Sequence, residues 1–138
     1  MKVMAIDYGD ARTGVAVSDA TASLTGAAWV IHVHKQETVA SMIASEAAGR
    51  GVGVIVVGYP INMNGSAGPR AAMSERLAGL LRKLCDIEVV LWDERMTTIS
   101  AHRILTDVGK HGKKRKENVD AVAASVILEG YLNSLKKM

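Results

Sequence analysis

Three carboxylates stand where buried elements end. Asp7 closes the apolar run "KVMAID", Glu94 follows the run "IEVVLW" within "WDER", and Asp120 opens the apolar-faced stretch "DAVAASVILEGYL". An acid at the end of a buried strand is costly unless something neutralises it, because an unpaired charge loses its hydration. Each acid has an ordinary explanation when taken alone. Asp7 could bond its own turn, although Asp10, inside the turn, is better placed for that. Glu94 could pair with Arg95 at the surface, where such a pair contributes little. Asp120 could sit in the first turn of a helix, where the helix dipole favours an acid by roughly 0.3–1 kcal/mol. Taken together the three point elsewhere. Converging carboxylates repel one another unless a cation lies between them, and an all-oxygen donor set suits Mg²⁺ or Mn²⁺. Two such ions about 4 Å apart activate a water and stabilise the leaving oxygen in phosphodiester cleavage. Asp7, Glu94 and Asp120 are therefore the candidate catalytic and metal-binding residues. Gly9, two residues after Asp7, lets backbone come close to a ligand.

The elements that must position these acids can be read from hydrophobic patterning. Lys2–Tyr8 and Thr13–Ser18 are apolar or β-branched runs separated by a few turn residues, which predicts an antiparallel hairpin. Residues 24–33 predict a third strand. A helix is expected over 37–48, with Val39, Met42, Ile43 and Ala47 inward and Gly49 and Gly51 at its end. "VGVIVVG", residues 52–58, is continuously apolar, as in a strand buried on both faces of a parallel sheet. A loop rich in Gly, Asn and Pro leads to Pro69, well placed in the first turn of a helix carrying Met73, Leu77, Leu80, Leu81 and Leu84. After the strand at 87–92, helices are expected over 98–107 and 119–135. The order β-β-β-α-β-α-β-α-α implies an α/β fold: a mixed five-stranded sheet with helices on both faces. Ligands in such sheets gather at the carboxyl ends of strands.

Composition narrows the class. With 138 residues, about half of them apolar, the chain predicts a single domain over 1–138 with one continuous core. No apolar run approaches the ~20 residues of a membrane span, and "MKVMAIDYGD" reads as a first strand rather than a signal peptide. Cys85 is the sole cysteine, and His32, His34, His102 and His111 lack zinc-like spacing. A reduced cytoplasm is the expected compartment. The formal net charge is only +3, yet "KHGKKRK", residues 110–116, holds five Lys/Arg and no acid. The charge is thus local, as in a patch that meets a polyanion, although a solvated loop weighs about equally before its surroundings are considered.

Four motifs, "IDYGDARTGVAVSD", "VVGYPINMNGS", "WDERMTT" and "KRKENVDAVAASVILEGYL", resemble in order and spacing those of the YqgF/RuvX family of pre-16S rRNA nucleases and Holliday junction resolvase-like proteins. The resemblance covers nearly the whole chain. It implies an RNase H-like fold and a metal-dependent nuclease site. Asp7 matches the family's first-strand acid, Glu94 the acid of its "DER" motif and Asp120 its final-helix acid. Asp93 ranks second to Glu94, since neighbours on an extended chain point to opposite sides. Related junction resolvases carry a further acid on the last helix. Ala123 stands three residues after Asp120 here, which weighs against direct transfer of junction cleavage. Thr97 and Thr98 also match, as helix caps or site residues. Arg95 either touches a phosphate or orients a carboxylate. Residues 62–68 either contact nucleic acid through backbone N–H groups or simply connect two elements.

In this setting the basic run lies immediately before Asp120, beside the expected metals. Gly9, Arg12, Arg95, Lys113, Lys114, Arg115 and Lys116 are the candidate nucleic-acid contacts, and phosphate contacts of this kind position a strand without specifying its sequence. The expected activity is hydrolysis of structured nucleic acid, RNA ahead of DNA, at the pre-16S rRNA end and within pre-ribosomal particles, with no membrane partner. Monomer and homodimer are both open. Two further classes compete. "DYGDARTGVAV" also resembles the first phosphate loop of the actin and sugar-kinase superfamily, which closes two such lobes on ATP, whereas 138 residues hold one. A non-catalytic ribosome or transcription factor would use the basic run without the acids.

Overall fold

The apolar runs assemble into one five-stranded sheet in the computed structural model, which describes residues 1–22, 25–62, 64–96 and 114–136. The strands are β1 (Lys2–Asp7), β2 (Thr13–Ser18), β3 (Thr25–Ile31), β4 (Val52–Tyr59) and β5 (Glu88–Asp93). The helices are α1 (Gln36–Arg50), α2 (Pro69–Leu84) and α3 (Lys114–Lys136), and a 3₁₀ turn over Glu94–Met96 follows β5. Strand order is β3-β2-β1-β4-β5. β1, β2 and β3 form the antiparallel meander, while β4 and β5 run parallel to β1. The two modes follow from the connections: short turns can reverse a strand, but a parallel return needs a helical crossover.

Each face of the sheet is sealed by its own core. Met4, Ile6, Val15, Ile55 and Val57 point to α1 and α2, where they meet Val39, Ile43, Leu77 and Leu81. Val3, Ala5, Ala16, Val54 and Val56 point the other way and pack on Ala124, Ile127, Leu128 and Leu132 of α3. The period-2 alternation of strand side chains thus hands one set of residues to each layer. Buried Gln36 ties the first two helices together: its Nε2 donates to the Met73 carbonyl at 2.8 Å, and Arg76 Nη1 donates to its Oε1 at 2.5 Å.

Three sequence expectations change. Met42 and Leu84, expected inward, are exposed. The inward stripes are finished instead by Ala40 and Ala44 on α1 and by Ala71, Ser74 and Ala78 on α2. The last helix begins at Lys114 rather than Val119. Lys, Arg and Glu are good helix formers, so Lys114, Arg115 and Lys116 extend the helix instead of forming a loop. Asp120 consequently lies in the second turn, where the dipole contribution has faded, and its placement needs another reason. The helix expected over 98–107, the caps Thr97 and Thr98, and residues 110–113, Lys113 included, lie outside the described residues. Among the described residues no helix is long and apolar enough to cross a membrane.

Candidate active site

Asp7 ends β1 on the face that carries Val3 and Ala5, the face covered by α3. On one side its register partner in β2 is Gly14. On the other, continuing the parallel pairing one step beyond Ile6–Val57 sets it beside Gly58 of β4. Both glycines are there for space. A Cβ on Gly14 would lie 2.0 Å from the Asp120 carbonyl oxygen, and one on Gly58 would lie 2.8 Å from Glu94 Oε1 and 2.6 Å from Ile127 Cδ1. The absent side chains let α3 settle on the sheet at Asp120 and let the Glu94 carboxylate fold in over β4.

This arrangement brings the Asp7 and Glu94 carboxyls within each other's electrostatic reach. Burial pushes the Asp7 carboxyl up to about 7, reinforced by the charges of Glu94 and Asp120 and opposed by that of Arg70. Burial also raises the Glu94 carboxyl, with Arg70 again opposing. Two partly buried acids this close cannot both ionise at ordinary cost, so the pair holds a proton near neutral pH. Asp120 approaches from α3. Arg12 Nε lies 3.1 Å from Asp120 Oδ2, but the contact is too bent to be a hydrogen bond, and buried Oδ2 accepts none.

The flanking groups are held differently. Asp93 lies outside the acid pair: Arg95 Nη2 donates to its Oδ2 at 2.8 Å, Arg95 Nε reaches both carboxylate oxygens, and the Arg95 backbone N–H donates to Oδ1 at 2.9 Å. This bonding holds the Asp93 carboxyl below the usual carboxylate range. Arg95 is thereby occupied by a carboxylate rather than projecting free. Gly9 faces inward to its own turn, since a Cβ there would lie 2.4 Å from the Arg12 carbonyl oxygen. Lys114, Arg115 and Lys116 lie in the first turn of α3, on the same helix as Asp120 and roughly one turn before it. The loop after β4 folds back on itself: Asn62 N–H donates to the Ser66 carbonyl at 3.0 Å, Ser66 Oγ donates to Asn64 Oδ1 at 2.6 Å, and Gly65 takes a left-handed φ of 85°.

Among the described residues no three carboxylate, imidazole or thiolate groups close into a ready-made metal cage. The donors nonetheless suit a divalent cation. Two carboxyls are pressed together at the expense of an ionised charge, and an oxygen of the third is buried without a hydrogen bond. A hard cation that takes oxygen ligands answers both. Gly14, Gly58 and Arg70 were absent from the sequence-based candidates. A glycine closing an apolar strand at the ligand-bearing end was the available signal for Gly58. For Arg70 it was a helix start, marked by Pro69, that must return to the same edge. We expect Gly58→Ala to cost about 1–3 kcal/mol through overpacking, read by urea denaturation, and to displace Glu94. Unchanged stability would mean that the Glu94 carboxylate is not seated over β4.

The RuvX family, described as Holliday junction resolvases, matches residues 1–134. A relative from Halothermothrix orenii, provisionally named a pre-16S rRNA nuclease, is 41% identical over 138 residues, covering 100% of this chain and 99% of the relative. Among solved structures, Thermus thermophilus RuvC in complex with a Holliday junction substrate superposes with a TM-score of 0.67 at 10% identity, over 97% of this chain and 96% of that one. A Thermus thermophilus ROK hexokinase gives 0.50 at 24% identity, over 75% of this chain and 38% of that one. These structural likenesses speak for the RNase H-like fold, which sugar-kinase lobes share. The family match over nearly every residue, with an identity of 41% across the full length, places this chain in the RuvX (YqgF) family.

Proposed function

We propose that the protein is a metal-dependent nuclease that hydrolyses phosphodiester bonds in structured nucleic acid, with the pre-16S rRNA end as its substrate in the cytoplasm. The observation that carries this reading is the Asp7–Glu94 pair: two partly buried carboxyls acting on each other at the end of β1 and just past β5, with Asp120 of α3 near enough to add its charge at Asp7. Asp7, Glu94 and Asp120 would hold Mg²⁺ or Mn²⁺. Such an ion, when bound, supplies Lewis-acid activation of water and stabilisation of the leaving oxygen. The chain's own residues do the rest. Gly14 and Gly58 keep the floor of the site free of side chains, and Arg12 holds Asp120 toward the acid pair. Lys114, Arg115 and Lys116 put positive charge on the helix that delivers Asp120, where it would meet the phosphate backbone. The name carried by relatives about 40% identical to this chain favours RNA over a DNA junction, as does Ala123 at the place where junction resolvases carry a further acid.

The test is a cleavage screen of the purified protein on labelled RNA spanning the 16S precursor end and on a four-way DNA junction, each with Mg²⁺, Mn²⁺ or EDTA. Metal-dependent cutting of the RNA, faster than of the junction and abolished by EDTA, is expected. Failure to cut either substrate with either ion would overturn the reading, and preferential cutting of the junction would reassign the substrate.

A further inference from the structure

Six arginines have side chains that the structure describes, and five of them are engaged. Arg12 meets Asp120, Arg50 meets Glu46, Arg95 meets Asp93, Arg76 meets Gln36 and Glu37, and Arg82 donates to the Val89 carbonyl at 2.9 Å. Arg70 is the sixth. Among the described residues its guanidinium makes no hydrogen bond and no ion pair, although it stands at the start of α2 beside the acid pair. It is also exposed, so it has free access to a ligand.

Its position is what distinguishes it. Two hollows open on this edge of the sheet. One, of about 330 Å³, lies between Tyr8, Gly9 and Asp10 on one side and Pro69, Arg70 and Met73 on the other. The second, of about 490 Å³, runs along the loop after β4 and includes Glu94 and Arg95. Pro69 and Arg70 belong to both, and of the two only Arg70 carries charge. A strand laid from one hollow to the other passes Arg70 with Glu94 alongside. Burial raises both carboxyls and the Arg70 charge works against it, which places the guanidinium within electrostatic reach of both. A guanidinium grips a phosphate through two parallel N–H groups, a geometry that an ammonium cannot copy.

We infer that Arg70 is a substrate-binding residue that clamps the phosphate of the nucleic-acid strand where it crosses from one hollow to the other past the carboxylates. The inference rests on the nuclease reading above and adds to it a residue that the carboxylate site alone does not supply. It further predicts that the strand's path is fixed from α2 as well as from α3.

The experiment measures binding of the full chain, its Arg70→Ala variant and its Arg70→Lys variant to a fluorescent RNA stem-loop and to a four-way DNA junction. EDTA is present, and NaCl is titrated. Loss of one phosphate contact lowers the slope of log affinity against log salt by about one. We expect Arg70→Ala to show that drop and to weaken binding about tenfold at low salt. Arg70→Lys should keep the slope and recover part of the affinity. Without nucleic acid all three should melt cooperatively, Arg70→Ala slightly below the parent near pH 7 because the charge that offsets the Asp7 and Glu94 carboxyls is gone, so a loss of binding is not a failure to fold. If the parent binds and cleaves while Arg70→Ala retains its slope and affinity, the role of Arg70 is overturned and the nuclease reading stands. If the parent neither binds nor cleaves either probe, both fall together. A matching loss from Arg70→Lys would assign the site to guanidinium geometry rather than charge, which also supports the clamp.

Discussion

Replacing Asp7 with Asn will abolish metal-dependent cleavage and, at the same time, make the protein more stable above neutral pH. The first half follows from the site: an amide carries no charge to hold a divalent cation, and removal of a group that acts as part of a unit costs several orders of magnitude in rate. We expect at least a thousandfold loss. The second half follows from burial. The Asp7 carboxyl is pushed from 3.8 to about 7 by burial first, then by Glu94. Between these two values the folded chain keeps a proton that the unfolded chain has released. The native state therefore binds more protons, and its stability falls as pH rises. The contribution of Asp7 is intact below about pH 4 and is lost as pH climbs through 7. At 1.36 kcal/mol per pKa unit, the difference is on the order of 1–4 kcal/mol. The amide of the Asp7→Asn variant is neutral at every pH and escapes it. Urea denaturation in EDTA at pH 5 and pH 8 should show the variant's advantage growing with pH. Addition of Mn²⁺ should then raise the parent's melting temperature and leave that of Asp7→Asn nearly unmoved. Equal stability of the two proteins at both pH values would show that the Asp7 carboxyl is not shielded from water at the end of β1. A variant that cuts as fast as the parent would remove Asp7 from the chemistry.

Gly14→Ala has the larger structural effect. The new methyl would lie 2.0 Å from the Asp120 carbonyl oxygen and 2.7 Å from its carbonyl carbon. Neither atom can swing aside as a side chain can, so α3 must shift bodily from the sheet. That helix supplies Ala124, Ile127, Leu128 and Leu132 to the core on its face. Ordinary overpacking costs about 1–3 kcal/mol, and a backbone collision that lifts a whole helix should exceed it, at roughly 3 kcal/mol or more. For a small domain with roughly 5–15 kcal/mol of total stability, that is a large fraction. Urea denaturation and cleavage should both register the change, since Asp120 moves with the helix. A loss below about 0.5 kcal/mol, the range of an ordinary surface substitution, would mean that α3 does not seat against β2 at this point.

The mixed sheet and the succession of its elements along the chain are legible in the sequence because strands and crossovers leave plain marks, whereas the order of strands across the sheet comes from the structure. Apolar alternation, a two-face buried run at 52–58 and a Pro at the start of α2 each survive without context. The acids are legible because a charge at the end of a buried run is out of keeping with its neighbours. What the sequence hides depends on distances between remote segments. Nothing local says that Gly58 leaves room for Glu94, or that Arg12 reaches Asp120. Met42 and Leu84 fit a helical stripe by spacing, yet both are exposed and alanines stand on the buried faces of α1 and α2. The start of α3 is hard to place because a basic run looks like solvated loop, although its residues favour helix. Arg70 looks like any surface arginine, and only the company it lacks makes it notable.

Gly14 and Gly58 flank Asp7 across three adjacent strands, so the room taken by Asp120 of α3 and by the Glu94 carboxylate is made by the sheet itself. Filling it would harm folding before it harmed chemistry. Selection for a well-folded molecule alone would thus preserve both glycines, even in a descendant that had lost its acids. The two glycines therefore mark the seat of the last helix as much as they mark the chemistry beside it.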